Sequence, residues 1–132
     1  MIAATDDQSD GIIWAIVAYQ ETAVPGGTLL TIGSGSANTD KIIDQNGEGS
    51  TYAAGLARAY NGGGYNDWFL PSINELNKLY NNRTAIGGFT DYGYWSSSEF
   101  YADYAWGQGF FSGGQYGDAK HSTGRVRAVR AF

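Results

Sequence analysis

The chain offers few groups able to make or break a covalent bond. Its one histidine, His121, lies in a polar turn between Lys120 and Ser122-Thr123. A catalytic histidine needs a nucleophile or a metal beside it, and no such pattern accompanies this one. Both the G-x-S-x-G nucleophile turn and the H-E-x-x-H zinc pattern are missing. Asp44-Gln45-Asn46-Gly47-Glu48 resembles a calcium loop, but it lacks the third ligand position and the terminal bidentate glutamate, so an Asn-Gly turn is expected. Gly33-Ser34-Gly35-Ser36-Ala37-Asn38 misses the last glycine of the dinucleotide fingerprint, and no G-K-[ST] follows anywhere. Asp67, Glu75 and Glu99 are the carboxylates a glycosidase pair would draw on. Glu75 already has a helix-capping position, and nothing sets the others at a working separation. With no cysteine there is no thiol nucleophile, disulfide framework or Cys-bound zinc. The sequence predicts a protein that is not an enzyme and carries neither metal nor cofactor.

Recognition chemistry is better represented. The 132 residues hold 10 Tyr, 4 Trp, 6 Phe and 20 Gly, with only 16% charged residues. Glycine at about twice its average usage, mixed with large aromatics, describes tight turns and irregular loops held by a few big side chains. The same Tyr/Ser/Gly/Asn bias marks binding loops. A net charge of −5 argues against nucleic acid as a partner. Four of the eight basic residues, Lys120, Arg125, Arg127 and Arg130, nevertheless fall in the last thirteen positions, and no acidic residue follows Asp118. Such a segment can receive a sulfated or carboxylated glycan. Equally, its arginines can pair within the fold with Asp67 or Glu99.

The elements that position these residues read as follows. Length and a hydrophobic content of 42% fit one domain over residues 1–132 with a single core. No apolar run reaches membrane-spanning length, and MIAATDDQSD has no basic n-region or apolar h-region, so neither a span nor a secretion signal is expected. The apolar run 11–19 reads as a buried strand, and residues 20–49 as loop with a short strand at 28–32. A helix is predicted over 51–60, with Ala53, Leu56, Ala57 and Tyr60 on one face, Ser50 as cap and Asn61-Gly62-Gly63-Gly64 as stop. A second follows Pro71, with Ser72 and Glu75 as a capping box, Ile73, Leu76, Leu79 and Tyr80 inward, and Asn81-Asn82 ending it. Strands are expected at 94–99, 105–111 and 125–132. Helices and strands segregate along the chain, which predicts an α+β fold with an antiparallel sheet.

Three segments carry a family resemblance: Asp67-Trp68-Phe69-Leu70-Pro71-Ser72-Ile73-Asn74-Glu75-Leu76, Tyr94-Trp95-Ser96-Ser97-Ser98-Glu99 and Val126-Arg127-Ala128-Val129-Arg130-Ala131-Phe132. With Ile2–Ser9 and Ile32–Thr39, they resemble the bacterial and phage domain family typified by the C-terminal domain of the Legionella collagen-like adhesin. That resemblance implies a C-type-lectin-like fold, with two helices flanking a twisted antiparallel sheet, long Gly-rich loops, and neighbouring N- and C-terminal strands. It also implies an extracellular place on a cell surface or virion, a trimeric assembly, and a glycan or receptor as partner, sulfated polysaccharide being the ligand of the typifying domain. A strand that precedes Ile2–Thr5 in many members is absent, as is a cysteine pair. The Glu-Pro-Asn and Gln-Pro-Asp tripeptides of calcium-dependent lectins are missing, so calcium-mediated sugar binding is not carried over.

Within such a fold Trp68, Trp95, Ser96, Ser97 and Ser98 read as scaffold. The stretch between the scaffold motifs and the last strand holds the candidate ligand-binding residues Tyr101, Asp103, Tyr104, Trp106, Gln108, Phe110, Tyr116, Asp118 and His121. Alternation sets Trp106, Gln108 and Phe110 opposite Gly107, Gly109 and Phe111, either as a ligand face or as the core face of the sheet. Lys120, Arg125, Arg127 and Arg130 form the candidate anionic-glycan set. The expected function is non-catalytic recognition or adhesion. The alternative is a phage or cell-surface structural module, including a receptor-binding protein diversified by a retroelement.

Overall fold

The computed structural model describes Met1–Ala131. Phe132, the end of the expected last strand, lies outside the described residues. The architecture is α+β with a mostly antiparallel sheet. In chain order the elements are β1 (Ile2–Ala3), β2 (Ser9–Ile13), α1 (Gly35–Asn46), α2 (Ala53–Ala59), α3 (Ile73–Asn81), α4 (Arg83–Ile86), β3 (Gly93–Tyr101), β4 (Tyr104–Gly109), β5 (Gln115–Ala119), β6 (Thr123–Val126) and β7 (Val129–Arg130). Five strands form the main sheet in the order β2-β6-β3-β4-β5, and β1 pairs with β7 in a second, two-stranded sheet. The β3–β6 contact, Tyr94 opposite Arg125, is parallel, whereas the other pairings are antiparallel.

Two clusters of buried side chains hold these layers. Trp14, Ile42, Tyr52, Ala53, Ala57, Trp68, Leu70, Trp95 and Val126 fill the space beside α1 and α2. Ile73, Leu76 and Leu79 of α3 meet Phe69, Tyr94, Phe110 and Val129 in the other. The capping box at the head of α3 forms as predicted: Glu75 N–H donates to Ser72 Oγ (3.2 Å), and Ser72 N–H donates to Glu75 Oε1 (2.8 Å). Glu75 also accepts from Gly33 N–H at 2.9 Å, which ties the preceding loop to the helix. The serine triplet on β3 is fully buried. Ser96 Oγ donates to the Trp106 carbonyl, and Ser98 Oγ donates to the Leu29 carbonyl while accepting from Ile73 N–H. Small hydroxyls let a central strand answer backbone groups of a neighbouring strand, a helix start and a loop.

Several expectations are corrected. Residues 35–46, expected as loop, form α1. Its buried positions Gly35, Asn38, Thr39 and Ile42 keep helical spacing, but three of the four are not hydrophobic, so the apolar stripe is invisible. Polar groups substitute for it: Asn38 donates to the Leu29 carbonyl (2.7 Å) and accepts from Leu29 N–H (2.8 Å), and Thr39 Oγ1 accepts from Leu70 N–H (3.1 Å). The strand expected over 11–19 stops at Ile13. Trp14 and Ala15 are buried outside any strand, and a short 3₁₀ turn follows at Val17–Tyr19. No strand forms at 28–32. Helix α2 is shorter than predicted, and Tyr52 rather than Ser50 occupies its N-cap, without a side-chain bond. The two expected helices are joined by α1 and α4. The expected last strand divides into β6 and β7, separated by Arg127 and Ala128, while β5 is an extra strand over 115–119.

Candidate recognition site

The terminal cations are placed first by their counter-ions. Lys120 is fully buried, with Nζ 2.6 Å from Glu99 Oε2, 3.2 Å from the Thr22 carbonyl oxygen and 4.9 Å from the centre of the Trp14 ring. Arg127, also fully buried, meets Asp7 at 2.8 Å, donates to the Ala4 and Gly87 carbonyls, and stacks on Phe89. Arg130 grips Asp67 through two hydrogen bonds of 2.7 and 3.1 Å and lies over Tyr65. That hydrogen bond holds the Asp67 carboxyl below its ordinary range. Arg125 is less committed: its guanidinium is 3.7 Å from Asp7 and 5.0 Å from the Tyr92 ring centre. The expected pairing of a terminal arginine with Asp67 is present through Arg130, whereas Glu99 is met by Lys120 and Arg127 turns to Asp7. Two of the four candidate anionic-glycan residues have no surface to offer.

The candidate residues of 100–123 separate into three groups, with His121 apart from them. Gln108 of β4 and Phe110 just after it are buried on the side that meets α3. The Gln108 amide donates to Asn77 Oδ1 and the Gly113 carbonyl, and Phe110 packs with Tyr80, Phe89 and Tyr94. Here the alternation marks the core face. Tyr101, Asp103 and Tyr104 cluster at the exposed tip of the β3–β4 hairpin, where Tyr101 pairs with Tyr104. Phe100 joins them by edge contacts with Tyr101 and with half-buried Trp106, each 4.5 Å between centroids. His121 is exposed in the turn after β5.

Tyr116 and Asp118 belong to a third place, a polar cleft of about 450 Å³ on the opposite face of the sheet. Asp10, Tyr92, Thr123 and Arg125 complete its walls. Gly93 and Gly124 lie in its lining beside Tyr94 and Trp95, and Gly107 underlies Tyr116. A Cβ at Gly107 would stand 3.2 Å from Tyr116 Cε2, and one at Gly93 would overlap the Tyr116 hydroxyl. The Tyr116 ring thus crosses from β5 over β4 to β3 along bare backbone. Burial, with a smaller contribution from the Asp118 charge, raises its phenol pKa. On β6, a Cβ at Gly124 would press on the Trp95 indole, whose Nε1–H donates to the Ile12 carbonyl at 2.8 Å.

Sequence reasoning did not reach Asp10, Tyr92 or Thr123, which come from other elements. The available signal was the row of glycines at registered positions, Gly93 opposite Gly109 and Gly107 opposite Trp95. Among the described residues no three His, Cys, Asp or Glu side chains gather as a metal site. Asp67, Glu75 and Glu99, the carboxylates considered for hydrolysis, are engaged by Arg130, by backbone amides and by Lys120. Among the described residues, no helix is long and apolar enough to cross a membrane.

Comparison with known families finds that the model of the Lcl C-terminal domain matches residues 3–130. No curated protein matches the chain.

Proposed function

Because the chain belongs to the Lcl C-terminal domain family, we propose that it is a recognition domain that attaches its parent surface to a glycan or protein receptor. Family membership supports a non-catalytic role in adhesion at a surface. The observation that carries the reading is the exposed aromatic group Phe100, Tyr101 and Tyr104 at one hairpin tip, beside polar Asp103. Exposed aromatics next to polar groups are the side chains that dominate recognition energetics. The pairing of β1 with β7, which joins the two ends of the chain, supports a C-type-lectin-like fold. Exposed Met1, Leu29, Leu30 and Ile32 support packing against further copies of the chain, which we read as a trimer. Carriage on a virion, and use as a diversified receptor binder, are the alternative setting for the same surface.

Binding of the purified chain to whole cells tests the proposal. Tyr101→Ala combined with Tyr104→Ala should lower binding about thirty-fold or more, the loss expected for a residue worth about 2 kcal/mol, with an unchanged melting temperature. Unchanged cell binding by the double variant would remove the hairpin from the site. Light scattering that reports a monomer at micromolar concentration would remove the trimer.

A further inference from the structure

The cleft on the glycine-floored face has a chemistry of its own. One face of the Tyr116 ring rests on Gly107 and Gly93, and the residue is 38% exposed and lines the cleft, so the other face of the ring borders it. An aromatic ring seated on backbone and open on one side is a flat apolar platform. Tyr92, two-thirds exposed, stands at the margin of the same cleft. Around the platform the charges are mixed: Asp10 and Asp118 are carboxylates, and Arg125 is the single cation. The Arg125 guanidinium shares Asp7 at 3.7 Å, and its side chain makes no hydrogen bond among the described residues. Donors therefore remain on Arg125, and acceptors remain on both aspartates.

We propose that this cleft binds a neutral saccharide, with a pyranose ring stacked on Tyr116 and its hydroxyls met by polar groups of the cleft lining, Asp118 and Arg125 among them. The inference rests on the recognition reading above and names its ligand class. A pyranose presents an apolar C–H face and a rim of hydroxyls that both donate and accept. The flat ring answers the first, and the carboxylates and guanidinium that line the cleft answer the second. A cleft of about 450 Å³ is of the size class that holds small ligands. Charge decides between neutral and sulfated sugar. A sulfate entering the cleft would face two carboxylates and one cation already leaning on Asp7. The other terminal cations, Lys120, Arg127 and Arg130, are tied to Glu99, Asp7 and Asp67.

The test is an array of neutral hexose and N-acetylhexosamine oligosaccharides, with heparin and dextran sulfate alongside, probed with the full chain. At least one neutral saccharide should bind, with an affinity that changes less than twofold between 50 and 500 mM NaCl. Tyr116→Ala should weaken that binding at least tenfold, and Tyr116→Phe, which keeps the platform, should stay within threefold. Gly93→Ala, which displaces the phenol without removing it, should also weaken binding, and melting curves should show all three variants folded. Neutral binding that survives both Tyr116→Ala and Gly93→Ala overturns the inference. So does preferential binding of heparin or dextran sulfate that weakens with salt. Attachment to cells without any neutral saccharide bound overturns this inference and leaves the recognition reading standing. Failure to bind cells and saccharides alike overturns both.

Discussion

Lys120 Nζ and Glu99 Oε2 meet at 2.6 Å in a space closed by Trp14, with the lysine wholly removed from solvent. Glu99 Oε2 also accepts from Val24 N–H at 2.9 Å, so one carboxylate oxygen serves β3, the end of β5 and the loop before α1. Removing the cation strands a charge at that junction. Lys120→Ala should cost about 3–5 kcal/mol, the range for breaking a buried pair from one side. Urea unfolding measures it, and a loss below about 1 kcal/mol would show the pair to be solvent-screened.

Gly55 sets two effects of opposite sign against each other. Alanine in place of glycine favours a helix by about 1 kcal/mol. Here a Cβ would overlap the Gly49 carbonyl oxygen and press on the Tyr52 ring at 2.9 Å. Overpacking against backbone costs about 1–3 kcal/mol, so Gly55→Ala should lower the melting temperature. An increase would mean that the 47–52 turn yields.

At the head of α3, Ser72→Ala removes the acceptor for Glu75 N–H and the donor to the Thr31 carbonyl at 2.8 Å. Loss of an N-cap costs about 0.5–2 kcal/mol. Because the same hydroxyl holds the Thr31 loop, amide exchange should quicken at Gly33 and Ser34 as well as in the first turn of α3. Exchange confined to the helix would show that the loop is held elsewhere.

Alkaline pH should loosen the protein before it ionises fully. Burial pushes the Tyr52 phenol up to about 12, and it raises Tyr94 and Tyr116 above their ordinary value of 10.0. An acid whose pKa is raised by folding keeps its proton in the native state while the unfolded chain loses it. Stability is therefore complete below pH 10 and falls as the pH climbs from 10 towards 12. Absorbance at 295 nm should show tyrosines titrating late, and the last of them appearing together with loss of the near-ultraviolet dichroism. Titration of all ten tyrosines near pH 10 with the fold intact would contradict the buried placement.

Much of the α3 region was legible because its signals are local. Ser72, Glu75 and the Ile73-Leu76-Leu79 stripe lie within one helix, and the structure realises each of them. The Trp95-Ser96-Ser97-Ser98 scaffold also reads correctly from its motif. Helix α1 was not legible, because Asn38 and Thr39 face the core to satisfy Leu29 and Leu70 from outside the helix. A stripe defined by hydrogen-bond partners leaves no hydropathy pattern. The cleft escaped for a similar reason: Asp10, Tyr92, Tyr116 and Arg125 lie on different strands or the loop before β3, and only the β2-β6-β3-β4-β5 order brings them together. Alternation along β4 separated two faces correctly, but it did not say that Gln108 and Phe110 were on the inner one.

The glycine floor separates the part of the surface that must stay fixed from the part that is free to change. At positions 93, 107 and 124 any added carbon meets Tyr116 or Trp95, whereas Tyr92, Tyr116, Asp118 and Arg125 project from that floor into open cleft. The backbone there acts as a rigid seat, on which the outer side chains can differ while the strands beneath them keep their register.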